Sequence, residues 1–150
     1  MPGTLTPTPT TRVAVPVLWA GLAATALVTV YAWVDSATSQ VLAGHVAASY
    51  PAYGAAEVDA AVAAYLAILT TVGVLGAGTW AVVAWAARSG RAWAPAAGTL
   101  ALVAAVGVAL VGLTTRDTSG DVGLAPALGW AQLLPCAIGM VAVALLWRRR

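Results

Sequence analysis

The chain has 150 residues, of which 61% are hydrophobic and only 8% are charged. Soluble domains carry about 25% charged residues, so this chain cannot cover a water-facing surface, and a lipid bilayer is its expected solvent. Its net charge of +2 comes from seven arginines that lie mostly at the ends of apolar segments, a topology signal rather than a nucleic-acid-binding stripe. The single cysteine, Cys136, excludes an intramolecular disulfide and a paired-cysteine redox centre.

The chain begins with residues 1–12, in which Pro and Thr alternate and almost nothing apolar can be buried. This composition predicts a disordered cytoplasmic tail. The first predicted span covers residues 13–34, with Pro16 tolerated in its opening turn. A cleaved signal peptide is the alternative, since Val30-Tyr31-Ala32 resembles a small-x-small cleavage site. The apolar run is longer than a usual signal core, however, and Arg12 is the one basic residue before it.

The connection of residues 35–57 is the longest in the chain and is predicted to lie outside. Its apolar residues recur at helical spacing, so residues 36–49 either extend the first helix or lie on the membrane surface. The sequence then reads YPAYG, which breaks that periodicity. Gly54 is expected to cap the next helix, and Glu57 and Asp59 near its start complement the helix dipole.

Three more spans are predicted, over residues 58–87, 92–114 and 124–147. The four-residue turn between the first two makes them antiparallel neighbours. Small residues at every fourth position allow close helix packing in membranes, and we expect this pair to be the tightest. The ridge on the second span consists of Gly73, Ala77 and Ala81, and the ridge on the third span of Ala97, Ala101, Ala105 and Ala109. A looser ridge on the first span consists of Gly21, Thr25 and Thr29. Pro135 predicts a kink in the last span, because it removes a hydrogen bond to the Ala131 carbonyl.

These elements predict an all-α, polytopic membrane protein, a four-transmembrane-helix up-down bundle. Six arginines fall on one side of the spans and Arg116 alone on the other, which places both termini in the cytoplasm and the protein in the cell membrane. All five acidic residues fall on the side of Arg116. The bilayer is the expected partner, with another membrane protein or a second copy of the chain as further candidates and no nucleic acid.

The distinct chemistry of the sequence is concentrated in the outer loop. Its candidate ligand-binding residues are His45, Tyr50, Tyr53, Glu57 and Asp59, with Asp35 close by in the sequence. We expect the turn to bring His45 towards Glu57 or Asp59, for ligand contact or pH sensing, and a solvated histidine without a partner is the alternative. A lone histidine without a close-spaced second ligand does not predict a metal site. The predicted spans contain no charged residue in the hydrocarbon core, so no catalytic residue, cofactor or enzymatic activity is predicted.

Three segments carry a resemblance, and they read HVAASYPAYGAAEVDAA, RSGRAW and LLPCAIGMVAVALLWRRR. With them the chain resembles the small, uncharacterised four-helix integral membrane proteins of actinobacteria. The resemblance implies a topology and no activity. The chain departs from small multidrug carriers, which are shorter and carry a glutamate in the first helix. We therefore expect a non-enzymatic accessory or structural membrane component. The alternative is a small-molecule permease or an extracytoplasmic sensor that uses the outer loop, residues 35–59.

Overall fold

The structure is a computed structural model that describes residues 9–148, with side chains from residue 13 onwards. This part of the chain is helical and contains no strand. Its six helices are α1 (Pro9–Ala37), α2 (Val41–Ser49), α3 (Ala55–Arg88), α4 (Ala94–Thr114), α5 (Pro126–Ala131) and α6 (Leu133–Trp147). The all-α prediction is confirmed. Of the predicted tail, residues 1–8 lie outside the described residues, and α1 already begins at Pro9.

Four helical segments are long and apolar enough to cross a bilayer, which confirms the predicted number of spans. They are Val13–Ala37, Ala55–Arg88, Ala94–Thr114 and Pro126–Trp147. The second span has 34 residues, and at 1.5 Å per residue it is about 51 Å long, well beyond the hydrocarbon thickness of about 30 Å. It must therefore tilt or project. Gly54 caps its start and Glu57 lies in its first turn, as the sequence predicted.

The buried side chains form two clusters, one at each end of the bundle. The arginine-end cluster joins the start of α1, the end of α3, the start of α4 and the end of α6, around Leu18, Trp80 and Leu146. The cap-end cluster joins the end of α1, α2, the start of α3 and α5, around Leu42, Leu66 and Leu128. The start of α1 and the end of α6 therefore lie at the same end of the bundle, next to the turn between α3 and α4.

The most extensive helix contact is between α1 and α3, not between α3 and α4. The prediction that the second and third spans form the tightest pair is therefore wrong. A Cβ on Gly73 would overlap the Thr29 hydroxyl, and one on Gly76 would lie 3.2 Å from Cγ2 of Thr25. The ridge of Thr25 and Thr29 on α1 thus seats against the glycines of α3. The short turn brings α3 and α4 together at one end only, and a cavity separates them towards the other.

The threonines of this contact have their hydroxyls satisfied within α1. Thr25 Oγ1 donates to the Gly21 carbonyl and Thr29 Oγ1 to the Thr25 carbonyl, each at 2.9 Å. Thr70, Thr71 and Thr79 on α3 bond to carbonyls four residues back in the same way. A hydroxyl bonded to its own helix can face an apolar neighbour without leaving a polar group unpaired. Thr25 and Thr29 are packing residues at the α1–α3 contact, whereas Thr71 and Thr79 are exposed on the outside of α3.

The last span is interrupted, since α5 ends at Ala131, α6 begins at Leu133, and Gln132 between them is a turn residue. Pro135 lies three residues after that break and cannot donate a backbone hydrogen bond to the Ala131 carbonyl. The predicted loss of a helical hydrogen bond coincides with a one-residue interruption at Gln132, whose backbone stays right-handed helical with φ of −63° and ψ of −20°. It divides the span into a short segment in the cap-end cluster and a longer one in the arginine-end cluster.

We expect Gly73→Ala to destabilise the bundle by about 1–3 kcal/mol, because the added methyl has no room against Thr29 and overpacking forces the helices apart. The measurement is thermal unfolding in a mild detergent. Gly78→Ala is the matched control on the same helix, since a Cβ there meets nothing within 4 Å. That control should be neutral or stabilising, because alanine is the better helix former. Thr29→Ala should partly rescue Gly73→Ala, and equal melting of the two glycine variants would place the α1–α3 contact elsewhere.

Candidate functional site

The cap end of the bundle starts from Asp35, the one acidic residue of α1, which is only 1% exposed. One carboxylate oxygen accepts hydrogen bonds from the Ser39 hydroxyl at 2.7 Å and the Val41 N–H at 3.0 Å. The other accepts from the Leu42 N–H at 3.0 Å. These are the first two N–H groups of α2, so Asp35, a residue of α1, caps the N-terminus of α2. The negative charge of Asp35 at that N-terminus also complements the dipole of α2.

The chain makes this turn at Gln40, which has a left-handed backbone with φ of 52°. The Gln40 N–H donates to the Asp35 carbonyl at 2.7 Å. Asp35 therefore supplies both a backbone acceptor and side-chain acceptors to the turn. Residues 36–49 therefore do not extend α1 as one helix. Residues 36–37 end α1, residues 38–40 form a turn, and Val41–Ser49 form the separate nine-residue helix α2, whose Leu42 and Val46 are buried against the bundle.

Helix α2 places His45 against the connection between α4 and α5, which we call the 115–125 loop. The Nε2–H of His45 donates to the Val122 carbonyl at 2.6 Å. The Tyr50 hydroxyl is hydrogen-bonded to the Thr118 hydroxyl at 2.9 Å. Two segments that are about 70 residues apart in the sequence are thus joined by two side-chain bonds. The partner of His45 is this loop, and not the carboxylate of Glu57 or Asp59 that the sequence suggested.

The 115–125 loop is itself a tight hairpin. Arg116 and Val122 form an isolated antiparallel bridge, and the Gly123 N–H donates to the Thr115 carbonyl at 3.1 Å. The turn closes at Gly120, whose φ of 90° favours glycine. Inside it, Asp117 accepts from both the backbone N–H and the hydroxyl of Ser119. The sequence predicted a turn here, and the structure adds that it forms one half of the cap.

The remaining candidate residues line the outside of the cap. The rings of Tyr50 and Tyr53 are stacked, with centroids 4.6 Å apart and planes 10° from parallel. Glu57 folds back over Gly54, and its Oε2 lies 2.9 Å from where a Cβ on that glycine would be. Asp59, two residues further along α3, is exposed. Within residues 9–148 no group of three or more histidine, cysteine or acidic side chains could hold a metal ion.

The cap end is strongly acidic. Five carboxylates meet one guanidinium there, that of Arg116, which donates to the Gly120 carbonyl at 3.2 Å. The Ser119 hydroxyl is the main reason that the pKa of Asp117 lies below its ordinary value. The Ser119 N–H, the Tyr50 hydroxyl and the His45 imidazole lower it further against the opposing effect of partial burial. Asp117 is therefore a stable carboxylate at neutral pH.

A cavity of about 620 Å³ lies directly beneath this loop, between α3 and α4. Asp117 and Tyr65 are at its mouth, and Gln132 is among its lining residues deeper in the bundle. A second cavity of about 220 Å³ continues towards Pro135 and shares Val72, Ala104, Val108 and Gln132 with the first. Together they make one apolar groove that starts at the acidic cap and ends beside the break in the last span.

The sequence analysis missed the residues that give this groove its polarity, which are Tyr65, Asp117 and Gln132. Two signals were present: Gln132 is an amide inside a predicted span, and Tyr65 is a phenol inside the predicted span of residues 58–87. Asp117 could not be linked to His45 and Tyr50 from the sequence, because only the packing of α2 brings the two loops together.

Comparison of this chain with protein-family models, with curated proteins and with solved structures finds no match. The chemistry of the cap and groove must therefore be argued from the geometry alone.

We expect Asp35→Ala to destabilise the protein by about 1–3 kcal/mol, because it leaves two N–H groups of α2 and the Ser39 hydroxyl without an acceptor. Asp35→Asn, which keeps one acceptor oxygen, should fall between the wild type and the alanine variant. Thermal unfolding in detergent measures both. Asp121→Ala removes an exposed carboxylate from the same end and is the matched control. If Asp35→Ala melts together with that control, then Asp35 does not hold α2.

Proposed function

We propose that this protein acts without catalysis as an accessory or structural component of the cell membrane, with its spans serving as a packing surface for another membrane protein. The observation that carries the proposal is the openness of α4. Only 11% of its most apolar window is buried within the chain, against 28% in the first span and 33% in the last. Its open side presents Leu100, Val103 and Leu110, which are 52–71% exposed.

The internal chemistry also supports a role in packing. The hydroxyls of Thr25 and Thr29 donate hydrogen bonds to carbonyls of their own helix. The buried carboxylate of Asp35 accepts hydrogen bonds from Ser39 and from the first two N–H groups of α2. Polar groups that are fully used in the fold are not free to exchange protons or ions. The resemblance to small four-helix membrane proteins of actinobacteria points the same way, since it implies a topology and no reaction.

We further propose that the arginine end faces the cytoplasm. Arg88, Arg91 and Arg148 lie at that end, and Arg116 is the one arginine at the cap end. Excess arginine in short loops marks the cytoplasmic side. The cap, with its five carboxylates, then lies outside the cell, and both chain termini lie inside.

This orientation predicts the labelling pattern of single cysteines in a Cys136→Ala background. A membrane-impermeant maleimide added to intact cells should modify Ala48→Cys and Asp121→Cys, which are exposed at the cap end. It should modify Ser89→Cys, exposed in the turn after α3, only after the cells are permeabilised. The reverse pattern would invert the topology. An intact mass that lacks the first span would instead establish cleavage of a signal peptide.

The accessory role predicts a protein partner at α4. A photoreactive benzoylphenylalanine at Val103 should cross-link to a discrete protein in native membranes, and the same protein should co-purify stoichiometrically in mild detergent. Leu27 on α1 is the matched control, since it is 65% exposed against 63% for Val103, and it should yield lipid adducts. A second copy of the chain would appear as an adduct of twice 15.0 kDa. The proposal fails if position 103 gives only lipid adducts and the protein purifies alone as a monomer.

A second candidate is an extracytoplasmic sensor or a small-molecule permease that uses residues 35–59. The observation that favours it is the linked cap, in which His45 and Tyr50 of this segment are bonded to the 115–125 loop over a cavity mouth. A ligand that displaces either bond would alter the packing of α2. A fluorophore on Ala48→Cys, at the end of α2, would report that change, and a signal independent of any added solute would leave only the accessory role.

A further inference from the structure

The groove beneath the cap differs from the lipid-facing surface in having a polar mouth. Its walls are apolar and consist of Ile68, Leu69, Val72, Val108, Val111 and Leu124. At its mouth, Asp117 and the Tyr65 hydroxyl converge on Gly123. A Cβ on this glycine would overlap the Tyr65 hydroxyl and would lie 3.5 Å from Oδ2 of Asp117. Glycine at this position therefore permits a carboxylate and a phenol to approach one another over the cavity.

The two oxygens of the Asp117 carboxylate have different roles. Oδ1 accepts both bonds from Ser119 and so holds the loop together. Oδ2 is on the side of Gly123 and Tyr65, where the cavity opens. Among the described residues, the Tyr65 hydroxyl makes no hydrogen bond. The Tyr50 hydroxyl also acts on this carboxylate. The mouth therefore presents a carboxylate beside a phenol hydroxyl that has no hydrogen-bond partner among the described residues.

The charge around the mouth selects the sign of a ligand. Asp35, Glu57, Asp59, Asp117 and Asp121 all lie at this end of the bundle, with one arginine against them. An acidic rim above an apolar cleft attracts cations and repels anions such as phosphate. A two-chain phospholipid would bring its phosphate next to Asp117, so the charge opposes a lipid headgroup as the occupant.

Gln132 adds a second polar contact, deeper in the groove. It lies six residues beyond Pro126, which is about 9 Å further into the bundle at 1.5 Å per residue. In the part of the chain that the structure describes, its side-chain amide makes no hydrogen bond, although it lines both cavities. An unpaired amide within the hydrocarbon region is costly, so a hydrogen-bonding group of a ligand is favoured there.

We infer that this groove binds a diffusible amphiphilic amine, with its ammonium group at Asp117 and Tyr65, its apolar body between α3 and α4, and a hydrogen-bonding group at Gln132. A volume of about 620 Å³ is in the range of small-molecule sites. The inference goes beyond the accessory role and does not depend on it, because the groove is formed by this chain alone.

The test uses the full-length protein in phosphatidylcholine nanodiscs and a tritiated probe, N-aminohexyl octanamide. The hexyl spacer of this probe separates its ammonium and amide groups by about 9 Å, which is the helix rise from Pro126 at the start of α5 to Gln132. We expect saturable binding of one probe per chain after subtraction of empty nanodiscs. The hydroxyl analogue, N-hydroxyhexyl octanamide, should bind about tenfold more weakly or worse, because it cannot pair with the carboxylate.

Two variants separate the groove from nonspecific partition into the bilayer. Gly107→Leu should abolish binding and leave the melting temperature unchanged or higher, since a Cβ at this lining residue meets nothing within 4 Å and leucine fills the groove. Gly78→Leu, equally open but outside the groove, should bind normally. Asp117→Asn should weaken binding about tenfold, whereas Asp121→Asn in the same loop should not.

Three results would overturn the inference. They are equal binding of the probe and its hydroxyl analogue, equal binding of the wild type and Gly107→Leu, and displacement of the probe by phosphatidylethanolamine, which would make a lipid the occupant. None of them affects the cross-linking test at Val103, so failure of the amine site and failure of the accessory role can be distinguished.

Discussion

The cap end of this protein depends on one carboxylate. Asp35 ends the first span and supplies the acceptors that start α2, and α2 in turn brings His45 and Tyr50 to the 115–125 loop. The loop then sets Asp117 over the α3–α4 cavity. An ionised group is tolerated in an almost fully buried position because three donors surround it, and the same donors would be unpaired without it. The need of the first N–H groups of α2 for an acceptor thus helps to determine the position of the 115–125 loop, which is remote in the sequence.

The packing of the spans follows a different constraint. In lipid, burial of apolar side chains gives little driving force between helices, so close approach decides which helices pair. The threonine ridge of α1 fits against Gly73 and Gly76, and the longest contact forms there. Between α3 and α4 the turn supplies proximity but the helix surfaces do not interlock along their whole length. The open groove lies where the surfaces of α3 and α4 do not pack together.

The sequence was sufficient for the helical class, the four spans, the glycine cap of α3 and the break near Pro135, because each depends on composition or on a few adjacent residues. It was misleading for the tightest pair. Small-residue spacing occurs on α1, α3 and α4 alike, and only the three-dimensional arrangement selects among them. The composition of residues 35–57 marked the cap, but the partner of His45 lies 77 positions away. No local pattern encodes that pairing, and the same holds for Asp117 and Tyr65.

The break at Gln132 has a mechanical consequence. It falls at the boundary between the two buried clusters, with Leu128 anchored in one and Leu146 in the other. A continuous helix would transmit a displacement rigidly between them, whereas a span missing one backbone bond can bend there. The last span can therefore bend between the cap end and the arginine end, whereas α1 and α3 run uninterrupted from one cluster to the other.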